Sequence, residues 1–244
     1  IFQEGYKAPN IGNEWFGSRI EKVLYEEIDI IRVADGLHIN NGEDADNGLT
    51  VADITYRNVW IEDAKFPITV NPGDSGNVHG LVYENVHGMV SSPSEIKLGS
   101  PANTPGSLDE IAFRWLYLQG QLKRDLAGMM IDSGVTDLSI FPAPGEEAVQ
   151  IFAPRTGVVR TPGSTLRLQS HAAAMEPHGI ASVEYFMNGM PLGTATYDPE
   201  DRWRLDWTPP SPGAYNFSAR MTDTEGHSTD SGPITVYVSD PDNM

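Results

Sequence analysis

Three glycine-rich segments recur in the first part of the sequence, and most of the carboxylates that could do chemistry lie in the first two of them. They read NNGEDADNGLT at 40–50, NPGDSGN at 71–77 and GSPANTPGS at 99–107. Four aspartates in or just before them are the candidates for catalysis: Asp35, Asp44, Asp46 and Asp74. Hydrolysis of a glycosidic bond needs two carboxyl groups roughly 5–9.5 Å apart, one acting as acid and the other as base or nucleophile. Aspartates in such segments are also ordinary turn residues on a solvated surface, which is the alternative interpretation.

The first segment also has a composition that suits a hard cation. Glu43, Asp44 and Asp46 supply carboxylate oxygens, which are ligands that Ca²⁺ prefers. Their spacing does not follow the EF-hand pattern. A Ca²⁺ site is therefore a further interpretation of this segment, whereas hydrolysis itself would require no cofactor.

A second group of residues could bind a substrate. His38 lies between Leu37 and Ile39, so it should point away from a core, and Asp35 is close enough in sequence to form an acid–base pair with it. Alternatively, His38 only forms a hydrogen bond near the surface. The remaining candidates are two cations that could contact uronate or sulfate groups and one indole that could stack on a sugar ring: Arg57, Lys97 and Trp60.

These residues belong to a sequence that repeats itself. The phrases VLYEEIDI, ITYRNVWI, LVYENVHG and IAFRWLYL begin at Val23, Ile54, Leu81 and Ile111. Their aromatic residues are 31, 27 and 30 positions apart, at Tyr25, Tyr56, Tyr83 and Phe113, and a weaker fifth copy includes Leu138 and Ile140. Self-similarity at this period predicts a solenoid, and the two-residue alternation predicts that its turns are built from strands.

The repeat predicts an all-β fold that begins with a right-handed parallel β-helix. Four to five coils are expected over residues 1–145, each about 4.8 Å from the last. Each coil has strand-like pieces near 20–25, 28–33 and 37–40, followed by one of the glycine-rich segments. The segments should therefore lie on one corner, with the acids of 40–50 within one or two coil spacings of Asp74. An all-β sandwich is the competing fold, but it would not normally repeat at this spacing.

Two side-chain columns support this register. The residue after each aromatic alternates in charge, in the order Glu26, Arg57, Glu84 and Arg114. Opposite charges on adjacent strands attract each other, so the alternation suits stacked coils. At the next position, Asn58 and Asn85 could form a ladder of side-chain amides.

The charge balance narrows the range of partners. The chain has 34 acidic and 16 basic residues, a net charge of -18, so it would repel nucleic acid and anionic lipid. It has no cysteine, which excludes disulfide and thiolate chemistry. No apolar stretch approaches the roughly 18 residues of a membrane-spanning helix. We therefore expect neither a nucleic-acid partner nor a membrane span.

The composition changes at PAPGEEAV, and residues 146–244 read as a second domain. Seven short alternating runs, from VQIFA to ITVYVSD, are separated by turn signals and predict an immunoglobulin-like β-sandwich. Trp203, Leu205 and Trp207 alternate, so they should share one face and line the sandwich core. A spacer or packing role is expected for this domain, and carbohydrate binding is the alternative.

Several phrases resemble known families. VADITYRNVWIEDAKFPITV and NVHGLVYENVHG resemble the later coils of pectin-lyase-like β-helix proteins, and look most similar to polygalacturonase-type and dextranase-type glycoside hydrolases. The NTD, DD, GHG and RIK motifs of polygalacturonases are not intact, so the resemblance implies a polysaccharide substrate rather than a mechanism. IASVEYFMNGMPLGTAT and PITVYV resemble bacterial Ig-like modules of secreted glycosidases, which implies a secreted or cell-surface bacterial protein.

Three functions are compatible with these observations. The first is the C-terminal part of a secreted enzyme that hydrolyses a polysaccharide with paired carboxylates. The second is a polysaccharide lyase that uses Ca²⁺ and a Lys or Arg base, and the third is a non-enzymatic adhesin or glycan-binding fibre. Because the chain begins at Ile1 and enzymes of this superfamily have, by resemblance, more coils, we expect an N-terminal portion or a companion chain to complete the β-helix.

Overall fold

The computed structural model describes residues 2–7, 9–12, 19–41, 49–73, 76–90, 96–99, 106–199 and 202–239. The chain divides into two units, Ile1–Phe141 and Pro142–Met244. The described residues form strands, turns and bridges, and none of them belongs to a helix. The all-β class predicted from the sequence is confirmed for this part of the chain.

The first unit is a stack of parallel strands. Its described strands are β1 (Phe2–Lys7), β2 (Asn10–Gly12), β3 (Arg19–Asn40), β4 (Thr50–Asn71), β5 (Asn77–Val90), β6 (Ile96–Leu98), β7 (Ser107–Leu118), β8 (Gln121–Leu122), β9 (Met130–Ile131) and β10 (Leu138–Phe141). All pair in parallel except β8, which pairs antiparallel with β7. The result is a β-solenoid of about three turns. This is fewer than the predicted four to five coils, because β1 with β2, and β10, each cover only part of a turn.

Each full turn has three faces. In β3 the first face is residues 19–26, the second face is residues 28–35 and the third face is residues 37–40, and the same names apply to residues paired with them in other turns. The predicted offset of 31 is confirmed, since Tyr25 pairs with Tyr56. The next turns bring Tyr83 and Phe113 into the same column.

Inward side chains form continuous columns through the core of the first unit. On the first face, Ile54 and Leu81 are fully buried, and Ile111 is 1% exposed. Beside them the rings of Tyr25, Tyr56, Tyr83 and Phe113 stack, with centroids 5.1, 5.2 and 5.3 Å apart. Burial of this apolar surface, at about 25 cal/mol per Å², is what holds successive turns together.

The corner between the first and second faces depends on a left-handed backbone and an amide ladder. Glu27, Asn58 and Asn85 have φ values of 55°, 53° and 52°, a region that Asn tolerates better than most residues. Asn85 Nδ2 donates to Asn58 Oδ1 at 2.8 Å, and Asn58 Nδ2 donates to Glu27 Oε1 at 2.8 Å. The predicted amide ladder is therefore present, and each of its bonds fixes the register of two turns.

The alternating charges on the first face form ion pairs. Arg57 Nε lies 2.8 Å from Glu84 Oε2, and Arg57 Nη1 lies 3.3 Å from Glu26 Oε1. Burial alone lowers the pKa of Arg57, but hydrogen bonds and charges from Glu84 and Glu26 raise it above its ordinary value. The pairs are partly exposed, so their main effect is to favour this register over a shifted one.

The second unit has two sheets around one core. Its described strands are β11 (Ala148–Ala153), β12 (Val159–Arg160), β13 (Leu166–Ala173), β14 (Ile180–Met187), β15 (Met190–Thr194), β16 (Thr196–Asp198), β17 (Arg202–Trp207), β18 (Gly213–Asp223), β19 (Ser228–Asp230) and β20 (Ile234–Val238). One sheet has the order β11-β13-β17-β16 and the other the order β12-β20-β18-β14-β15, with β19 beside β18. Trp207 is buried in the core of this unit, and Trp203 packs against that core. The alternation of Trp203, Leu205 and Trp207 in the sequence predicted this.

Two buried tyrosines differ in their hydrogen bonding, and this difference predicts opposite effects of removing their hydroxyls. Tyr83 Oη has no hydrogen-bond partner within the described part of the chain, whereas Tyr185 Oη bonds Ser170 Oγ at 2.6 Å and the Trp203 carbonyl at 2.8 Å. Burial raises the pKa of both phenols, so both stay neutral. We expect Tyr83→Phe to raise the free energy of unfolding of the first unit by about 1 kcal/mol, because an unsatisfied buried group costs about 1–3 kcal/mol.

Tyr185→Phe is the matched control, and we expect it to lower the stability of the second unit by about 1–3 kcal/mol. Urea unfolding of each variant, followed by tryptophan fluorescence and by amide exchange in each unit, measures both effects. A loss of stability in Tyr83→Phe would contradict the assignment of an unsatisfied hydroxyl.

Candidate functional site

A polar column runs along the outside of the third face. Leu37 and Ile39 point inward, so the residue between them points outward, and the same alternation applies in the next turns. The register places Asn10, His38, Thr69, Lys97 and Met130 in this column, in that order. His38, Thr69 and Lys97 therefore line up on the outside of the third face.

From His38 onward, accessibility increases along this column. His38 and Thr69 are only 3% and 8% exposed although both point away from the core. Lys97 is half-buried, and Met130 is 46% exposed. Asn10, which precedes His38 in the column, is exposed. We call the buried part around His38 the closed end of the column and the part around Met130 its open end.

At the closed end, His38 is held between an amide and a carboxylate. Its Nδ1 lies 2.7 Å from Asn10 Oδ1, and its Nε2 lies 3.9 Å from Asp35 Oδ2. Because an amide oxygen only accepts, Nδ1 carries the proton and Nε2 faces the carboxylate. Gly36, between the two residues, is needed here, since a Cβ would lie 2.4 Å from the Pro67 carbonyl oxygen. An imidazole beside a carboxylate can exchange a proton or orient the carboxylate.

Thr69, in the middle of the column, has an unsatisfied hydroxyl. Its Oγ1 is buried and has no hydrogen-bond partner within the residues that the structure describes. A buried hydroxyl left without a partner costs about 1–3 kcal/mol. A group that can hydrogen-bond between His38 and Lys97 would remove this cost.

At the open end, Lys97 lines a depression of about 480 Å³ together with Gly99, Met129, Met130 and Asp132. The sequence did not predict Asp132 as a site residue. Its register explains why it lies at this depression. It follows β9 and continues the column of strand ends Asn40, Asn71 and Gly99. A Cβ on Gly99 would lie 2.3 Å from Asp132 Cβ, so glycine leaves the room that Asp132 occupies.

The predicted catalytic group is only partly described. Asp44, Asp46 and Asp74 lie outside the described residues, as does Glu43 of the predicted Ca²⁺ site. The described ends of the glycine-rich segments do meet. Asn41 N–H donates to the Asn71 carbonyl at 3.0 Å, and Gly106 N–H donates to the Gly73 carbonyl at 2.7 Å.

Asp35 is the last residue of the second face, at the corner before the third face. Asn41 is six positions further on, which is about 20 Å of extended chain. Asp35 is thus grouped by the structure with His38 and Asn10, at the closed end of the column.

Two predicted substrate-binding residues lie on other faces. Arg57 is on the first face, in the ion pairs with Glu26 and Glu84. Trp60 is on the second face, where its ring stacks on His87, with centroids 5.1 Å apart, and His87 stacks on Tyr117 at 4.8 Å. Rings stacked face to face turn their edges outward, so this column offers a sugar little ring surface.

Two mixed clusters could hold a metal ion. One consists of His79, Asp109 and Glu110 in the first unit, and the other of Glu147, Asp223 and His227 in the second. In each cluster the candidate ligand atoms lie within 4.8 Å of one another. Imidazole with carboxylates suits divalent transition metals.

In the second cluster, Asp223 already has three hydrogen bonds. Its Oδ1 accepts from the backbone N–H groups of Glu225 and His227, at 2.9 and 2.8 Å, and its Oδ2 lies 3.0 Å from His227 Nδ1. Burial would raise the pKa of the Asp223 carboxyl, but the bonds from His227 and the two N–H groups hold it below its usual range. The same carboxylate raises the pKa of His227.

No protein-family model matches the chain, and no curated protein matches it. Among the described residues, no helix has the length and apolar character needed to cross a bilayer.

Three solved structures share partial likeness with the chain. Fibronectin(III)-like modules of Clostridium thermocellum CbhA are 21% identical, with 37% of this chain and 94% of that chain covered and a TM-score of 0.33. An endo-beta-1,4-mannanase from Thermotoga petrophila is 9% identical, with coverages of 39% and 20% and a TM-score of 0.33. Bacteroides ovatus SGBP-B, in complex with a mixed-linkage heptasaccharide, is 18% identical, with coverages of 41% and 24% and a TM-score of 0.22. The chain thus spans about a quarter or less of the last two proteins.

The Asp223–His227 pair predicts how the stability of the second unit depends on pH. A raised pKa in the folded state means that His227 contributes stability fully below its unfolded pKa of about 6.5, and that this contribution is lost as the pH rises through the folded pKa. We therefore expect the melting temperature of the second unit to fall between pH 6 and pH 9. The lowered pKa of Asp223 adds a separate loss of stability below about pH 4.

Calorimetric melting of His227→Ala across this range should show a weaker decline above pH 6.5. His178→Ala is the control, because His178 pairs instead with Glu225, at 3.1 Å. An unchanged decline in His227→Ala would show that another group is responsible.

Proposed function

We propose that this chain binds a polysaccharide on the outer surface of the third face and hydrolyses its glycosidic bonds there. The observation that carries the proposal is the open depression of about 480 Å³ lined by Lys97, Asp132, Met129 and Met130. Lys97 also belongs to the polar column of the third face, so the depression and the column meet at this residue. An open depression beside a polar column suits a chain-like ligand.

The lining has the chemistry that a sugar residue needs. Sites for small molecules are mostly apolar, with a few convergent polar groups that fix orientation. Here Met129 and Met130 provide apolar surface, while Lys97 and Asp132 offer an ammonium and a carboxylate for sugar hydroxyls.

In this proposal, the hydrolytic carboxylates come from the corner where the third face ends. Asp132 is the described carboxylate at that corner, and Asp44, Asp46 and Asp74 belong to the segments whose described ends meet there. One would protonate the leaving oxygen and another would act as base or nucleophile. Asp35, which lies beside His38 and six positions before Asn41, would instead help to orient the substrate.

A lyase is the second candidate, and the environment of Lys97 favours it. No ion pair joins Lys97 to any described residue, and Lys97 lines the same depression, so this side chain is the candidate for the base of a lyase. In that reaction a cation would offset the charge of an acidic sugar, and Glu43, Asp44 and Asp46 are the proposed Ca²⁺ ligands. Binding without turnover, as in an adhesin or fibre, is the third outcome.

For the second unit we propose an immunoglobulin-like module that acts as a spacer. Its two sheets around one core, with Trp207 buried and Trp203 packed against that core, support this role over a carbohydrate-binding platform. A polymeric glycan is met outside the cell, so we propose a secreted or cell-surface location in a bacterium.

The test compares substitutions in the depression with matched substitutions on the second face. The intact protein is incubated with a panel of neutral and acidic polysaccharides, and reducing ends and unsaturated ends are measured separately. We expect new reducing ends without unsaturation, and a loss of kcat/KM of at least about 100-fold in Asp132→Asn, the contribution typical of a general acid or base. Lys97→Met should weaken substrate binding about tenfold, or about 1.4 kcal/mol.

Lys65→Met and Asp63→Asn make the same charge changes on the second face and should leave turnover unchanged. Unsaturated ends would show that the chain is a lyase rather than a hydrolase. If Lys97→Met weakens binding but no polysaccharide gives products, the chain is a glycan-binding protein. Unchanged turnover in both Asp132→Asn and Lys97→Met would overturn the proposed site.

A further inference from the structure

A histidine and two carboxylates meet on the outside of the first face, near its beginning. The register pairs His79 of β5 with Asp109 of β7, and Glu110 follows Asp109 in the chain. His79 Nδ1 lies 3.8 Å from Glu110 Oε2, and one ligand atom from each of the three side chains lies within 4.8 Å of the others. His79 and Asp109 are half-buried and Glu110 is exposed, so the cluster is open to solvent. It joins two neighbouring turns of the solenoid.

The position that follows in each turn adds further acids. It forms a column in which every residue has a left-handed backbone, with φ between 51° and 66°: Lys22, Asp53, Gly80, Glu110 and Asp137. The column beside it contains Glu21, Ala52, His79 and Asp109. In the described turns from β4 onward, neither column contains a Lys or an Arg.

This arrangement differs from the rest of the first face. Further along the same strands, Arg57 lies between Glu26 and Glu84, and its guanidinium offsets both charges. Like charges on adjacent strands destabilise a sheet. Around His79 the acids of successive turns have no such base between them, so a cation bound there would relieve their repulsion.

Gly80 leaves room beside the cluster. It lies between Asp53 and Glu110 in its column, and a Cβ on Gly80 would lie 2.9 Å from Asp53 Oδ1 and 3.2 Å from Asp53 N. The Asp53 carboxylate therefore takes up space that a side chain at position 80 would fill. A fourth carboxylate thus lies next to His79, on the neighbouring turn.

We propose that His79, Asp109 and Glu110 bind one divalent transition-metal ion of the Zn²⁺ type. An imidazole nitrogen with carboxylate oxygens suits such ions, whereas Ca²⁺ takes oxygen ligands alone. Zinc binds these donors at about 2.0–2.2 Å in a tetrahedron, which places neighbouring donors roughly 3.4 Å apart. The separation of 3.8 Å between His79 and Glu110 needs only a small side-chain rotation to reach this value.

The ion ties β5 to β7 and offsets the charge of the acids around it. Three protein ligands leave one tetrahedral position for water. Asp53 adds negative charge from β4, so the site draws on three successive turns. The proposal does not depend on the depression of the third face, since none of its residues lines that depression.

The cluster of Glu147, Asp223 and His227 in the second unit is the matched comparison. There the imidazole is already bound, because Asp223 Oδ2 lies 3.0 Å from His227 Nδ1. A metal ion would have to break this hydrogen bond. At 3.8 Å, His79 Nδ1 and Glu110 Oε2 are beyond hydrogen-bond distance, so no such bond opposes metal binding.

The test titrates the intact protein with ZnCl₂ after treatment with EDTA and dialysis. Calorimetry measures the affinity, and nitrogen-15 NMR of the imidazole rings identifies the histidine that binds. We expect saturable binding that shifts the ring signals of His79 and raises the melting temperature of the first unit. Glu110→Gln and His79→Gln should each weaken this binding at least about tenfold, since loss of even an outer-shell partner of a metal typically costs that much.

His227→Gln is the control and should leave the affinity for Zn²⁺ unchanged. Glu110 is exposed, so Glu110→Gln retains the fold even if His79→Gln does not. Zn²⁺ affinity that is equal in Glu110→Gln and the unmodified protein, or that is lost only in His227→Gln, would overturn the proposal. Binding of CaCl₂ at His79 as tightly as ZnCl₂ would also overturn it, because the site would then select a hard cation.

Discussion

The parallel register of the solenoid is the constraint on which the rest of the first unit depends. Each residue meets its counterpart in the next turn about 4.8 Å away, so every position along the strand becomes a column. Apolar residues satisfy this constraint by repetition, as Ile54, Leu81 and Ile111 do. Amides can repeat as well, because Asn58 and Asn85 each donate and accept. Like charges at the same position of successive turns would repel each other. The sequence avoids this repulsion by placing Arg57 between Glu26 and Glu84.

The same constraint also creates polar groups without partners. A tyrosine column is stabilised by stacking of its rings, but it also places one hydroxyl above another in a dry interior, as at Tyr56 and Tyr83. On the third face, Thr69 has a buried hydroxyl in an outer column. The two cases differ in where the hydroxyl lies. The tyrosine hydroxyls are enclosed by the core, whereas the Thr69 hydroxyl lies in an outer column, next to the position of Lys97.

The sequence predicted the first face well because its repeat is local. Tyr25, Tyr56, Tyr83 and Phe113 define one register, and the amide and charge columns follow at the next two positions. The third face was harder to predict, because segments of unequal length interrupt the period before Ile96 and Met130. Asp132 was missed for that reason. It joins the column of Asn40 and Asn71 only through two short strands whose register the sequence does not reveal.

The solvent exposure of the side chains could not be predicted from the sequence pattern either. His38 alternates with inward aliphatic residues, which predicts an exposed side chain, yet it is 3% exposed. Arg57 and Trp60 were grouped with His38 by chemistry, but the corners of the solenoid place them on different faces. Alternation tells which side of a strand a residue occupies. It does not tell which face of the solenoid that strand forms or what covers it.

The two ends of the solenoid differ in a way that follows from the column rule. In the turn after Asn85, the position of the amide ladder is occupied by Trp115. An indole cannot accept a hydrogen bond from an amide in a following turn, so the ladder ends here. Asn85 Oδ1 instead lies 2.6 Å from His87 Nε2, and the Trp115 ring meets Phe141 edge-on at 5.6 Å. The ladder is thus closed at this end by its own side chains. At the opposite end, Tyr25 continues the aromatic column and Glu26 continues the alternation of charges, so neither column is closed by a change of residue type.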